Sequence, residues 1–558
     1  MTIRGTAYDW LRQRAAADGS SGAVALWRDQ QVRKGLSFGE LLHLTDRVRA
    51  GLRDLGVLPG ERVLISLPND EGFTAVVLGC IGAGAIAVPA PVPDIGRREA
   101  FRDRLRAIAA DCAPVVAVTL EGWAADLTGF LTTRVVTWET LRQYAADPPP
   151  GARNSPTAFL QYTSGSTGDP KGVRISHEAL LSSCRQAAQV YREENSDTAV
   201  TWVPLYHDMG LITGLMRPLF SGYRSVLLTP GDFVRNPGSW LAALSGCRGT
   251  VSSAPNFAYD LCVRKISDDE AARWDLSRWR IARNAGEVVH ADTMARFVGK
   301  FSSSGFRESS YCPSYGLAEA TLTVSTCTPT ARPIHLAVPR TELRAGEPAD
   351  QRPVNLISSG VALPDTGLRI SGAHGRWQVG DILVRGPQNF SGYWNTNRDH
   401  PQGADGWHAT GDVGFLYADH LFVLGRSAES FTHHGQNYYL SDISRACERI
   451  DGIRAGRVAA FVVRGSPPEE EKVCLVAELS RDFAPGRSSF AEVENATKRR
   501  LASGLGLYVA SVVLLKTGSM PMTTSGKVRV SEVRRRWLDG TLPPVTSTQV
   551  QPPRQKER

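Results

Sequence analysis

The nine cysteines of this 558-residue chain include no Cys-x-x-Cys pair and follow no regular spacing. That excludes a zinc ribbon, a dithiol redox motif and a disulfide framework legible from spacing. Cys80, Cys112, Cys247 and Cys262 lie among apolar residues, as reduced, buried thiols do, and the expected location is cytoplasmic. The first residues, MTIRGTAYDWLRQRAA, lack a continuous apolar segment, so no secretory signal is expected. The longest apolar stretch, residues 73–91, is broken by Gly and Ala and closes on Pro-Ala-Pro. It reads as a buried helix followed by a strand, so no membrane span is expected. A basic stripe is missing as well. Lys and Arg (64) exceed Asp and Glu (56), for a net charge of +8, yet the two signs are interleaved along the chain. Nucleic acid is therefore not an expected partner, whereas an anionic substrate or carrier fits the charge. There are no internal repeats, and no Ser–His–Asp or metal-dyad pattern.

What is present is material for a large folded protein. The chain is 42% hydrophobic and 22% charged, and too long for one core, so two or more domains are expected. Residues 36–56 carry apolar side chains at helical spacing and stop at Gly56. ERVLISLP, PVVAVTL at 114–120 and RVVTW at 134–138 read as short strands between helical stretches. That alternation predicts an α/β fold with parallel sheets covered on both faces. Beyond residue 360 short strands and turns take over, and residues 427–434 have no clear period and read as a linker. After them RVAAFVVRG, KVCLVAELS and ASVVLLK are strands around the amphipathic FAEVENATKRRLASGL, which predicts a small α+β domain. From about Pro543 the chain is polar, proline-rich and expected to be disordered.

FLQYTSGSTGDPKGVRISH at 159–177 carries the strongest chemical signal. FLQYT reads as a strand. After it Ser164, Gly165, Ser166, Thr167 and Gly168 offer small residues whose backbone can approach an anion closely. The hydroxyls of Thr163, Ser164, Ser166 and Thr167, with the charge of Lys171, complete a phosphate cradle. This is not a Walker loop, because Pro170 precedes Lys171 and Gly172 follows it.

TSGSTGDPKG resembles the phosphate loop of the adenylate-forming superfamily, which includes acyl-CoA synthetases, peptide-synthetase adenylation domains and luciferases. SYGLAEAT at 314–321, ATGDVGFL at 409–416, Gly425–Arg426 and MPMTTSGKVRV at 520–530 are similar to its other signatures and stand in the same order. The resemblance implies that Tyr315 packs on adenine beside Gly316 and that Glu319 holds Mg²⁺. It also implies that Asp412 accepts hydrogen bonds from the ribose hydroxyls, that Arg426 lies near ribose and phosphates, and that Lys527 is catalytic. Gly286 and Glu287, in ARNAGEVV at 282–289, touch the adenine region in the family. VPLYHDMGLITGLMRPLFSG (203–222) and APNFAYDLCVRKI (254–266) resemble the fatty acyl-AMP ligases in particular. The resemblance implies that Tyr206, Asp208, Met209, Gly210, Asn256 and Phe257 line the acid pocket and that His207, at its end, is catalytic, though it is also readable as a structural histidine. Residues 328–358 fall where those ligases carry an insertion associated with weak CoA use.

The implied architecture is a large N-terminal adenylation domain (1–424), a hinge (425–430), a small mobile C-terminal domain (431–540) and a disordered tail (541–558). The implied reaction joins a carboxylic acid, expected to be fatty, to AMP from ATP with Mg²⁺, and passes the acyl group to an acyl carrier protein. Two alternatives stay open: activation of another acid such as nitrite, as in diazotase-type relatives of secondary metabolism, or an acyl-CoA synthetase. The hinge text departs from the family, with Ala428 for the usual Lys, Glu429 for the hinge Asp and Gln436 for the usual Arg. That leaves the acceptor in the second half-reaction open.

Overall fold

Short buried strands such as RVLIS, VAVT and VSSA cannot satisfy their backbone groups alone, and they pair into two large sheets with helices packed on them. A computed structural model describes residues 4–33, 35–93, 98–146, 155–163, 170–328, 333–339, 343, 353–374, 376–395, 405–433, 436–448, 450–463, 472–483, 489–522 and 528–545. The first sheet has six strands. Arg134–Thr137, Val116–Thr119, Arg62–Ser66, Ile86–Pro89 and Thr157–Thr163 run parallel, and Lys171–Ser176 closes the edge antiparallel. The second sheet has ten strands and a parallel centre formed by Gly22–Arg28, Arg224–Leu227, Thr198–Thr201, Val251–Ala254, Ile281–Asn284 and Tyr311–Tyr315.

The helices form where the sequence supplies both a cap and a stripe. Phe38–Asp54 starts at a capping box in which Ser37 and Glu40 satisfy each other's backbone N–H, and it covers the expected segment. Glu71–Gly82 is buried along nearly its whole length beneath Asp70 as its N-cap, and leads into the strand Ile86–Pro89 as expected. One apolar cluster runs through both sheets and their helices, from Ala7 to Phe390. A four-stranded antiparallel sheet (Gly367–His374, Val379–Arg385, His408–Tyr417, His420–Arg426) follows.

The remaining described chain has its own core. Ile453–Val463, Lys472–Leu479 and Ser511–Leu515 form a three-stranded sheet. Alternate residues split between its faces, as the period of two requires. Ala460, Leu475 and Leu514 meet the helices Leu440–Cys447 and Phe490–Leu505, while Ala459, Phe461 and Val476 meet Val533 and Trp537 of Val530–Leu538.

Two expectations are corrected. Within residues 427–434, Ser430–His433 is a strand, paired with Gln436–Tyr439 in register Phe431 to Tyr438. Four residues are too few for a period to be read. At the tail, residues 541–545 are ordered against the C-terminal sheet. Leu542 is buried, and the Val545 N–H donates to the Leu514 carbonyl (2.8 Å). Among the described residues no helix is long and apolar enough to cross a membrane.

Candidate active site

The C-terminal ends of the parallel strands open into a cleft of about 2380 Å³, where loops after several strands converge. Thr163 ends its strand directly opposite Lys171, so the two flank the phosphate-loop sequence. Ser164, Gly165, Ser166, Thr167 and Gly168 lie outside the described residues, as does Lys527. The Thr163 carbonyl accepts from Arg104 Nη2 at 3.0 Å, and Lys171 Nζ stands 5.6 Å above the Tyr393 ring. Arg104 is held down to about 10, by burial and then by the charge of Arg529, the N-cap residue of the helix Val530–Leu538.

At the far end of the strand Tyr311–Tyr315 the chain turns through Gly316 into a short 3₁₀ segment, Ala318–Ala320. A Cβ on Gly316 would lie 1.5 Å from the Leu322 carbonyl oxygen, so only glycine lets these backbones cross. Thr321 and Leu322 follow at φ of 45° and 99°, conformations that L residues rarely adopt. The Thr321 hydroxyl donates to the Gln388 carbonyl (2.6 Å), which holds the turn. It presents Glu319 to the cleft, where Oε1 accepts from the Tyr393 hydroxyl at 2.8 Å.

Asp412 enters from the strand His408–Tyr417. Oδ2 accepts from the Tyr315 hydroxyl (2.6 Å) and Oδ1 lies 3.3 Å from Arg426 Nε. Burial, and then the charge of Asp412, pushes the Tyr315 hydroxyl well above its usual range, so it remains a donor. Burial alone would lower Arg426, but Asp412, Glu429 and Glu319 together raise it. The guanidinium is thus a fixed cation under the influence of these three carboxylates.

On the opposite wall, Gln161 Nε2 donates to the Tyr206 carbonyl (2.8 Å) and fixes the approach to His207. His207 Nδ1 stands 2.7 Å from Asp208 Oδ1 and caps the helix Asp208–Leu211, whose Met209 reaches the cleft. This helix continues as a π-helical turn, Ile212–Met216, before returning to α-helix at Arg217–Ser221. Gly210 supports the wall from behind, since a Cβ there would meet the Pro204 carbonyl at 2.1 Å. Gly286, at φ 87°, passes close to Met209 Cε. The Glu287 Oε1 accepts from the Phe257 N–H (2.5 Å), tying the two predicted segments together. Asn256 is a buried hub: Oδ1 accepts from Asn284 Nδ2 (3.1 Å) and the His290 N–H (3.1 Å), and Nδ2 donates to Thr293 (3.2 Å). Phe257 is 43% exposed in the same wall.

The cleft therefore gathers Thr163, Lys171, Tyr206, His207, Asp208, Met209, Asn256, Phe257, Gly286, Glu287, Tyr315, Gly316, Glu319, Asp412 and Arg426. Sequence reasoning missed Tyr393, Arg104 and Arg283. Tyr393 carried a signal in the isolated SGYWN turn, whereas nothing in the text around Arg104 or Arg283 distinguishes a cleft residue from a core one. The chain's own second unit closes the cleft with Tyr439, Arg454 and Arg529. Arg445 ion-pairs with Asp292 across the same boundary.

Comparison with known proteins places the chain by sequence and by fold. The profile of the family described as AMP-binding enzyme matches residues 13–394. The medium-chain-fatty-acid–[acyl-carrier-protein] ligase JamA of Moorena producens (strain JHB) is 34% identical over 514 residues, covering 86% of each chain. The 4-hydroxyphenylalkanoate adenylyltransferase of Mycobacterium marinum is 32% identical, covering 90% of this chain and 86% of its own. Among solved structures, one from a study of fatty acyl-adenylate ligases from E. coli and L. pneumophila superposes with a TM-score of 0.88 at 29% identity, over 96% of this chain and 98% of that one.

Proposed function

We propose, taking as premise that the chain belongs to the AMP-binding enzyme family, that it activates a carboxylic acid as its acyl-adenylate and delivers the acyl group to an acyl carrier protein. The enzyme is an ATP-dependent adenylate-forming ligase. In the first half-reaction an oxygen of the acid bonds to the α-phosphorus of ATP. The bond from that phosphorus to the α,β-bridging oxygen breaks, and pyrophosphate leaves with the electron pair. The acid is already ionised near neutral pH, so no general base is required. Two anions must be brought together, and the task of the site is positioning and charge neutralisation.

The observation that carries this reading is the convergence in one cleft of Asp412 with Tyr315 and Arg426, and of Glu319 with Tyr393 below Lys171. Asp412 can accept two bonds from a ribose, Tyr315 offers a ring for a base, and Lys171 faces the phosphates with the 163–171 loop. Glu319 suits Mg²⁺, an ion held by one or two carboxylates together with substrate phosphates rather than by a protein cage. Among the described residues no group of three or more metal-binding side chains offers such a cage. When bound there, the ion would neutralise phosphate charge. We assign residues 1–424 to the adenylation domain, 425–430 to the hinge and 431–540 to the mobile domain that brings Lys527 to the α-phosphate. The separate apolar cores of the two units support that division.

Lys527→Ala is expected to lower acid-dependent pyrophosphate release by about 1000-fold or more while ATP still binds. Near-wild-type release from that variant would remove Lys527 from the chemistry. The acceptor is read by adding acyl carrier protein or CoA to the preformed adenylate and following AMP release, with the carrier protein expected to be the faster.

A further inference from the structure

Arg283 lies in the strand Ile281–Asn284 and lines the cleft alongside Ala285, Ser314 and Leu322, yet it is only 1% exposed. Its guanidinium carbon is 5.7 Å from the centroid of the Tyr191 ring, and Nη2 donates to the Thr323 hydroxyl at 2.9 Å. Nε and Nη1 are buried and have no hydrogen-bond partner among the described residues.

The charges around it do not balance. Arg217, also buried, packs on the same Tyr191 ring at 4.7 Å. Glu193 is the carboxylate whose charge reaches Arg283, and it is already engaged, with Oε1 held by Arg217 and Oε2 accepting from the Ser221 hydroxyl (2.8 Å). Two guanidinium groups thus face one carboxylate, and a positive charge with spare donors remains at the floor of the cleft. An unpaired buried charge is costly, and so are buried donors without acceptors. A ligand that brings an anion to this point relieves both costs, and an unsubstituted alkyl chain relieves neither.

We propose that Arg283 is a specificity residue that receives a second anionic group on the acid being activated, so that the substrate is a dicarboxylic acid rather than a plain fatty acid. This rests on the adenylation reading above and narrows its substrate. One carboxylate meets the α-phosphate while the other meets Nε and Nη1 of Arg283, and the distance between those points selects the chain length. Arginine suits the role because its charge persists when buried and it offers donors in fixed directions.

The test compares α,ω-diacids from malonic to sebacic acid, each against the monocarboxylic acid of equal length, in the full-length protein. Two readouts are used: ATP-dependent pyrophosphate release, and calorimetric binding of the acid alone. The expected result is that one diacid exceeds its monoacid by about 100-fold in kcat/KM, that R283L abolishes or reverses this preference, and that R283K keeps its direction with about tenfold weaker use. Monoacids used equally well or better by the wild type would overturn the proposal, as would an R283L preference equal to that of the wild type, even with a lowered Tm. If R283L does not fold, R283K decides: the proposal expects its diacid-over-monoacid ratio to fall about tenfold, whereas a purely structural arginine leaves that ratio unchanged. The two readings fail separately. Diacid binding that depends on Arg283 without pyrophosphate release from any acid would sink adenylation and keep the acid site. Monoacid-driven release that ignores Arg283 would do the reverse.

Discussion

The two ends of the cleft are built on opposite plans. At the nucleotide end the carboxylates are already held, Asp412 by Tyr315 and Arg426 and Glu319 by Tyr393. At the floor Arg283 keeps two nitrogens without a partner among the described residues. Groups that neighbours orient beforehand lose little freedom when ATP arrives, which suits a substrate common to a whole family. A group left unsatisfied discriminates, because it penalises every ligand that fails to complete it. If Arg283 acts as proposed, generic affinity and specificity are kept in separate places.

The sharpest way to break that separation is Asp412→Ala. It is expected to lower kcat/KM for ATP by about 100- to 1000-fold, through loss of charge-assisted hydrogen bonds, while leaving the order of preference among acids unchanged. Titrating ATP and acids separately in a pyrophosphate assay checks this, and a reshuffled acid preference would show that the two ends are coupled.

A second test uses pH. His290, beside the Asn256 hub at the acid end, is held down to about 4 by burial and then by Arg445. Its unfolded counterpart takes up a proton near pH 6.5, so between those values the unfolded state binds more protons. Stability therefore falls as pH drops from about 6.5 to about 4, by up to roughly 3 kcal/mol. Urea unfolding across that window should show the decline, and His290→Gln should flatten it.

Asn256→Ala removes the acceptor shared by Asn284 and the His290 N–H, and is expected to cost about 1–3 kcal/mol in the same unfolding assay. The smallest effect is expected from Arg445→Ala. Its ion pair with Asp292 is partly solvated and contributes below about 1 kcal/mol, so Tm should barely move while proteolysis at 425–430 rises.

Much of the nucleotide end was legible because its residues sit in contiguous strings. SYGLAEAT brings Tyr315, Gly316 and Glu319 together through a single turn, and ATGDVGFL brings Asp412 on one strand. The parallel sheets were legible for a related reason, since buried strands alternating with capped helices leave few other ways to bury both faces. The acid floor was not. Arg283, Thr323 and Tyr191 come from three separate elements, and nothing local distinguishes an arginine that ends in a cleft from one on a surface. The hairpin of Ser430–His433 and Gln436–Tyr439 was missed because its strands are too short to display a period. The docking of 541–545 was missed because proline-rich text looks unstructured when its partner strand lies elsewhere.

The π-helical turn at Ile212–Met216 bears on how this wall can be remodelled. Such a turn holds one residue more than the α-helix would, so removing one residue there lets the helix close normally. The turns on either side keep nearly their original faces, because the wide turn had absorbed the extra residue without rotating them. The wide turn can accordingly be erased by a single-codon deletion that leaves Tyr206–Met209 facing the cleft, a step that a screen limited to substitutions never samples.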